Sequence, residues 1–302
     1  MDYTLSLLTS NQWYLFYLAG IMIAAGYARD LRLFAPVYKL ILAKVKSKRA
    51  VVALISAITG ILPITGRVTV SAGFLDTIAP KDKKKREVFG VIDYLSTHHY
   101  YLWSPLEKSV IIPMAALSIS YGVFMMTMLP LLITAFTVIS YYIFYVLKEE
   151  DIEIDTTKFA NTSAKVFNLK FWEYINFGAV IMLAVVIVFS NIAKEYTDVI
   201  YAFVESGTAS FAIVSATAFL ASLTLGSSSR FAAVTAICVS VYGIAYLPWF
   251  FAIDFAGYML SPMHKCLVIS KTYFGTPLKD YYKAICVLCG AIIVTALFTL
   301  VI

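Results

Sequence analysis

Long apolar stretches alternate with short polar loops along this chain. Six stretches lack acidic and basic residues, and each is close to or above the ~20 residues that a helix needs to cross a membrane. They are Thr4 to Ala28, Ser109 to Leu147, Tyr174 to Ala193, Ser206 to Ser229, Phe231 to Ile253 and Ala284 to Ile302. Because backbone groups must be hydrogen-bonded in lipid, and the alternating pattern of barrel strands is absent, we predict an all-α integral membrane protein.

Two shorter apolar segments, Ala50 to Leu62 and Val68 to Ile78, flank the sequence PITGR. At 1.5 Å per residue each arm reaches only about 16 to 20 Å, which is too short to cross. We therefore predict a re-entrant hairpin over residues 50–79. The preceding stretch, Leu31 to Lys46, mixes basic and apolar residues and predicts an interfacial helix that Pro36 interrupts.

A polar linker over residues 148–171 separates two membrane blocks, residues 1–147 and 172–302. Each block is predicted to hold spanning helices, a hairpin and a broken helix. The broken helices cover residues 88–121 and 250–273, and the second hairpin covers residues 208–248. The arms of the second hairpin are long enough to cross, so it either re-enters or spans completely.

The two blocks share short motifs in the same order, which indicates an internal repeat. SPLEKSVIIP in the first block matches SPMHKCLVIS in the second, and Tyr101 aligns with Tyr258 three residues upstream. Farther upstream, LPITGRVTV aligns with LGSSSRFAA on Arg67 and Arg230.

Charge orients these repeats. The basic runs KVKSKR (44–49) and KDKKKR (81–86) lie in short loops, as the positive-inside rule requires of cytoplasmic loops. The first block crosses an odd number of times, so the second block enters from the opposite side and the repeats are inverted. We expect a multi-pass protein of the cell (inner) membrane with linker 148–171 in the cytoplasm and both termini outside.

Composition excludes several other classes. The chain is 61% hydrophobic and 14% charged, which leaves too little polar surface for a soluble fold. Its net charge of +6 sits in loops beside membrane segments, so nucleic acid is not an expected partner. Nucleotide-binding and hydrolase motifs are absent, so we expect no enzymatic activity and no cofactor. The four cysteines lie in or beside apolar helices and do not indicate disulfides.

The Ser-Pro steps and hairpin tips are the predicted substrate site. Proline frees a backbone carbonyl and unwinds the helix, and transporters with inverted repeats bind substrates and ions at such breaks. Arginine at membrane depth needs a cavity or a partner, and with adjacent hydroxyls it suits an oxyanion. The candidate substrate residues are Thr65, Gly66, Arg67, Thr69, Ser104, Lys108, Ser227, Ser228, Ser229, Arg230, Ser261 and Lys265. Each arginine could instead cap helices and pair with an acid such as Asp76.

Three further residues are candidates for coupling. Glu107 and His264 occupy the same repeat position, and Asp254 is an acid within the second broken helix. Any of them could carry a proton, although Glu107 could equally neutralise Lys108. Sodium could instead bind backbone carbonyls near Pro63, Pro105, Gly226 and Pro262. His98 and His99 point about 100° apart on a helix, so they form no metal pair with each other.

The SSSR and SPMHKCLVIS segments resemble the ion transporter superfamily of arsenite, citrate, gluconate and dicarboxylate permeases. Within it, the run YMLSPMHKCLVISKTYF (258–274) is similar to an uncharacterised prokaryotic permease family. The resemblance implies an elevator-type transporter, commonly a homodimer, in which hairpins and broken helices move against the outer spans. The Ser-Asn-Thr hairpin motif of the dicarboxylate members is replaced by TGR and SSSR, so their sites do not carry over.

Together these features predict a secondary active transporter of a small organic or inorganic anion, coupled to Na⁺ or H⁺. The alternatives are an ion channel, which needs a continuous wet pore, and a membrane-embedded enzyme, which needs converging histidines and acids.

Overall fold

Every regular element in the described part of the chain is a helix, and no strand occurs there. The computed structural model describes residues 31–61, 67–105, 107–154, 211–226 and 228–301. Its helices are α1 (Leu31–Lys44), α2 (Lys48–Ile61), α3 (Arg67–Ile78), α4 (Lys83–Ser96), α5 (Lys108–Leu117), α6 (Tyr121–Tyr141), α7 (Phe211–Leu225), α8 (Ser228–Tyr242), α9 (Leu247–Leu260), α10 (Lys265–Phe274) and α11 (Leu278–Val301). The predicted spans at 12–28 and 172–192 lie outside the described residues, as does most of the linker.

Two described helical segments are long and apolar enough to cross a membrane, namely Tyr121–Val146, which extends α6, and Leu278–Val301. Helices α9 and α10 pass the same test together but bend by 49° between them, so they form a third candidate if they are one span. The predictions of an all-helical fold with membrane-length helices are confirmed at this level.

The first hairpin consists of α2 and α3, which pack against each other. Its two ends lie together on the segment that follows α6. Lys48 Nζ, at the start of α2, donates to Ile152 O at 2.9 Å, and Glu153 N donates to Ile78 O, at the end of α3, at 3.0 Å. The chain therefore enters and leaves this hairpin at one place.

The same segment contacts the basic loop before α4. Lys85 Nζ lies 2.7 Å from Asp151 Oδ1, and the hydrogen bond and charge of Asp151 raise the pKa of Lys85. Asp82 caps α4 by accepting from Lys85 N at 3.1 Å. This cap starts α4 at Lys83, five residues before the predicted start of the broken helix.

The packing of the two blocks is reciprocal. Helix α3 of the first hairpin packs against α10 of the second broken helix, and α8 of the second hairpin packs against α5 of the first. Likewise α4 contacts α11, and α9 contacts α6. Each block thus packs the second helix of its hairpin against the broken helix of the other block.

Two details differ from the sequence-based expectations. Helix α1 continues through Pro36, which removes one backbone donor without ending the helix. Helix α8 has 15 residues and is therefore about 22 Å long, shorter than the predicted second arm of its hairpin.

Candidate functional site

The two Ser-Pro steps form the same turn in both blocks. Ser104 O accepts from Glu107 N at 3.0 Å, and Ser261 O accepts from His264 N at 3.1 Å. A helix begins at the next residue in each case, α5 at Lys108 and α10 at Lys265. Both serines are buried. The predicted breaks are therefore present at both motifs.

The aligned tyrosines bring the two breaks together. Tyr101 lies in a single 3₁₀ turn, His99–Leu102, just before the first break, and Tyr258 lies in the last turn of α9. Their hydroxyl oxygens are 2.9 Å apart, and their rings pack edge to face with centroids 5.4 Å apart.

Arg67 is the first residue of α3 and lies beside the first break, with 7% of its surface exposed. Its guanidinium lies 4.3 Å from the ring centroid of Tyr100 and 4.5 Å from that of Tyr101. Arg67 Nε donates to Thr97 O at 2.8 Å. Tertiary contacts therefore hold the guanidinium in place from three sides.

The acid partner of Arg67 is Glu107, whose Oε2 lies 3.5 Å from Arg67 Nη1. Glu107 Oε1 caps α5 by accepting from Lys108 N at 3.1 Å. The expected alternative partner, Asp76, pairs with Arg86 instead. At 3.5 Å the Arg67–Glu107 pair is an ion pair longer than an ordinary hydrogen bond.

The tip of the second hairpin reaches the second break. Gly226 has a φ of +53°, and a Cβ there would lie 2.7 Å from Ser261 Oγ and 2.9 Å from Met263 Cβ. Ser261 Oγ accepts from Met263 N at 3.2 Å. Only glycine combines this left-handed backbone with so close an approach.

The remaining predicted substrate residues differ in how buried they are, and several lie outside the described residues. Thr69 and Lys108 are half-buried, whereas Lys265 is exposed. Thr65, Gly66, Ser227 and Pro63 lie outside the described residues, and so do the side chains of Ser228, Ser229 and Arg230. Pro105 and Pro262 are exposed in their turns.

Asp254, a predicted coupling residue, is fully buried in α9. Thr235 Oγ1 donates to Asp254 Oδ2 at 2.6 Å, and Ser222 Oγ donates to Oδ1. The second hairpin thus satisfies both oxygens of this carboxyl group, which ties α9 to α7 and α8.

Sequence reasoning missed Asp93, a fully buried acid in α4, the helix that precedes the first break. Among the described residues, no donor lies within hydrogen-bonding geometry of either carboxyl oxygen of Asp93. Its polar neighbours are the side chains of Ser71 and Ser270. The signal was available, because Asp93 interrupts an apolar stretch as Asp254 does.

A second missed group surrounds His264. His264 Nε2 lies 3.1 Å from His98 Nε2, and the two rings meet nearly at right angles. Tyr94 OH lies 3.0 Å from His264 Nδ1. Cys266 Sγ lies within 4.8 Å of the ring nitrogens of both histidines. The 100° angle between the side chains of His98 and His99 excluded only a metal site formed by these two residues. It gave no information about His264, which is 166 residues from His98 along the chain.

Comparison with known proteins yields a family but no characterised relative. Residues 4–169 match the model of a family described as proteins of unknown function, DUF401. No curated protein and no solved structure matches the chain.

Proposed function

The chain belongs to the DUF401 family of proteins of unknown function, and we propose that it is a secondary active transporter of a small anion. The observation that carries the proposal is the buried guanidinium of Arg67, held at a break between helix segments where the two blocks meet. A buried arginine with an adjacent helix N-terminus is suited to a carboxylate or another oxyanion.

The reciprocal packing supports a pair of inverted repeats. An internal two-fold axis would relate the packed pair α3 and α10 to the packed pair α8 and α5. It would also place Tyr101 against its equivalent in the other block, Tyr258. Such an axis lies in the membrane plane in transporters with inverted repeats, and their substrate sites lie on it. Both ends of the first hairpin meet the segment after α6, as a re-entrant hairpin requires.

Alternating access follows from this arrangement. The hairpins and broken helices, residues 50–121 and 208–273, would move as one unit against the long outer helices. Helices α6 and α11 pack on each other, with Thr134 Oγ1 2.8 Å from Thr295 Oγ1, and supply the scaffold. In keeping with the resemblance to elevator transporters, the protein would act as a homodimer.

Glu107 links anion binding to proton entry. In the described state its carboxylate faces Arg67, where the anion would bind. Protonation of Glu107 removes the charge that competes with the anion, so an anion and a proton occupy the site together. We therefore propose H⁺ rather than Na⁺ as the coupling ion.

A ligand screen on the purified protein tests the proposal. Thermal unfolding would be followed with organic acids, phosphate, sulfate and arsenite, each with and without Na⁺. An anion at about 100 times its Kd stabilises the folded state by ~2.7 kcal/mol. The stabilisation should vanish in Arg67→Gln and persist in Arg86→Gln, a control that removes an arginine from an ion pair elsewhere.

Two results would overturn the proposal. One is the absence of stabilisation by every anion tested, and the other is undiminished stabilisation in Arg67→Gln. Single-channel currents across a planar bilayer would indicate an ion channel instead.

A further inference from the structure

The described residues contain a cluster that the proposed anion site does not use. His98 follows α4, while His264 and Cys266 flank the start of α10, so both blocks contribute. One ring nitrogen of each histidine and Cys266 Sγ lie within 4.8 Å of one another. We propose that His98, His264 and Cys266 bind a thiophilic d¹⁰ metal ion, Zn²⁺ or Cu⁺.

The hydrogen bonds of the two imidazoles orient their lone pairs toward each other. His98 Nδ1 contacts Tyr94 O, and His264 Nδ1 lies 3.1 Å from Tyr258 O. A carbonyl only accepts, so the neutral tautomers that satisfy these two carbonyls carry their protons on Nδ1. In those tautomers the two Nε2 atoms face each other as acceptors at 3.1 Å, and a cation between them would stabilise the arrangement.

The separation of these nitrogens fits a shared ion. Zinc binds histidine nitrogen at about 2.0–2.1 Å, so a 3.1 Å separation corresponds to an N–metal–N angle of about 100°. This is close to the tetrahedral value. Cys266 Sγ lies within 4.8 Å of one ring nitrogen of each histidine, and a Zn–S bond of about 2.3 Å at a tetrahedral angle would bring it to about 3.6 Å.

The surroundings of the cluster resemble the outer shell of a metal site. Ligating histidines usually donate their other nitrogen to a carbonyl or a carboxylate, which fixes the ring. Both histidines have such a carbonyl. Tyr94 OH additionally lies 3.0 Å from His264 Nδ1 and donates to Met259 O at 3.1 Å, which holds the ring of His264 against α9.

The net charge added near Arg67 depends on which ion the cluster binds. Metal binding converts the Cys266 thiol to a thiolate and releases its proton to water, so negative charge accompanies the cation. With the thiolate, Cu⁺ adds no net charge near Arg67, whereas Zn²⁺ adds one positive charge, the same as a proton shared between the two imidazoles. Two imidazoles and one thiolate are soft or borderline ligands, which select Zn²⁺ or Cu⁺ over Mg²⁺ or Ca²⁺.

This inference is independent of anion transport, and it assigns His264 to metal binding rather than to proton coupling. The test uses the full-length protein in detergent, stripped with chelator. Addition of Co²⁺ as a spectroscopic probe should give d–d bands and a thiolate-to-cobalt charge-transfer band at one ion per chain. Zn²⁺ and Cu⁺, the latter under reducing conditions, should each displace Co²⁺, and their relative affinities identify the preferred ion.

Variants separate the ligand assignment from effects on folding. Cys266→Ser should abolish the charge-transfer band, whereas Cys238→Ser, at a buried cysteine elsewhere, should keep it. His98→Gln should weaken Co²⁺ binding at least tenfold. Tyr94→Phe removes only the outer hydroxyl and should weaken it about 10- to 100-fold. The assignment is wrong if the stripped wild-type protein binds no Co²⁺, or if the charge-transfer band survives in Cys266→Ser.

Discussion

Tyr101 and Tyr258 hold their hydroxyl groups 2.9 Å apart, although 157 residues separate them in the chain. They are also the residues that align when the two Ser-Pro motifs are superposed. A contact between equivalent positions is what a two-fold axis passing between them produces. The two breaks therefore lie next to each other in the fold.

A double-mutant cycle tests this contact. Tyr101→Phe and Tyr258→Phe should each lower the free energy of unfolding by about 1 kcal/mol, because each leaves a buried hydroxyl without its partner. The double variant should cost less than the sum, with a coupling of about 0.5–1.5 kcal/mol. Denaturant unfolding in detergent measures this.

Tyr121→Phe supplies the control for the cycle. Its hydroxyl donates to Trp103 O at 2.8 Å and has no contact with Tyr258 among the described interactions. Its effect should add to that of Tyr258→Phe. Strict additivity of Tyr101→Phe and Tyr258→Phe would contradict the hydrogen bond.

Glu107→Gln tests proton coupling. The amide keeps the shape of the side chain but cannot gain or lose a proton at ordinary pH, and it removes the acid that pairs with Arg67 among the described residues. In proteoliposomes, uptake driven by a pH gradient should be lost while anion exchange across the membrane continues. Glu149→Gln, in the exposed segment after α6, is the matched control and should retain gradient-driven uptake. Gradient-driven uptake by Glu107→Gln would exclude Glu107 as the proton carrier.

Inverted repeats place the loops between hairpin and broken helix on opposite sides of the membrane. Lys81 lies in this loop of the first block and Ala245 in that of the second, and both are exposed. An impermeant maleimide should label Lys81→Cys only in inside-out vesicles and Ala245→Cys only in right-side-out vesicles. The wild-type protein shows the background from its own cysteines. Labelling of both positions from one side would refute the inversion.

Thr235→Val tests the role of the second hairpin in burying Asp254. The substitution keeps the shape of the side chain but removes the hydroxyl that donates to Asp254 Oδ2 at 2.6 Å. A buried carboxyl oxygen left unsatisfied should destabilise the protein by about 1–3 kcal/mol. Thr217→Val is the control, since its exposed hydroxyl donates to Ile213 O within its own helix. It should change the free energy of unfolding by less than about 0.5 kcal/mol.

Local sequence patterns predicted the elements of this site better than they predicted its contacts. The Ser-Pro turns follow from proline chemistry, and the alignment of Tyr101 with Tyr258 follows from the repeat. Glu107 as the partner of Arg67 could not be read from the sequence, because Asp76 is nearer along the chain and equally acidic. In the fold, Asp76 pairs with Arg86, which leaves Glu107 as the acid beside Arg67.

The contact between His98 and His264 was likewise beyond what local sequence patterns predict. Helical geometry correctly separates His98 from His99, but it says nothing of a residue in the other block. His99 instead accepts from Trp103 Nε1 at 3.0 Å, while His98 turns toward His264. The repeat alignment could have suggested this meeting, because a two-fold axis between the proposed repeats would place both breaks together.

Close helix crossings beside the two breaks allow a last test, of how tightly each hairpin packs against the broken helix of its own block. A Cβ at Gly60 of α2 would lie 2.6 Å from Ser96 O, and one at Gly257 of α9 would lie 2.4 Å from Phe219 O. In each block the hairpin's first helix thus crosses the broken helix against a glycine, which sits on the hairpin in one block and on the broken helix in the other. Because carbonyl oxygens cannot yield as side chains do, Gly60→Ala and Gly257→Ala should each cost about 1–3 kcal/mol. Gly290→Ala in α11, where a Cβ would meet nothing within 4 Å, should instead be neutral or stabilising by up to ~1 kcal/mol. Thermal unfolding of the three variants decides this, and an alanine tolerated at both Gly60 and Gly257 would show that these crossings are looser than described.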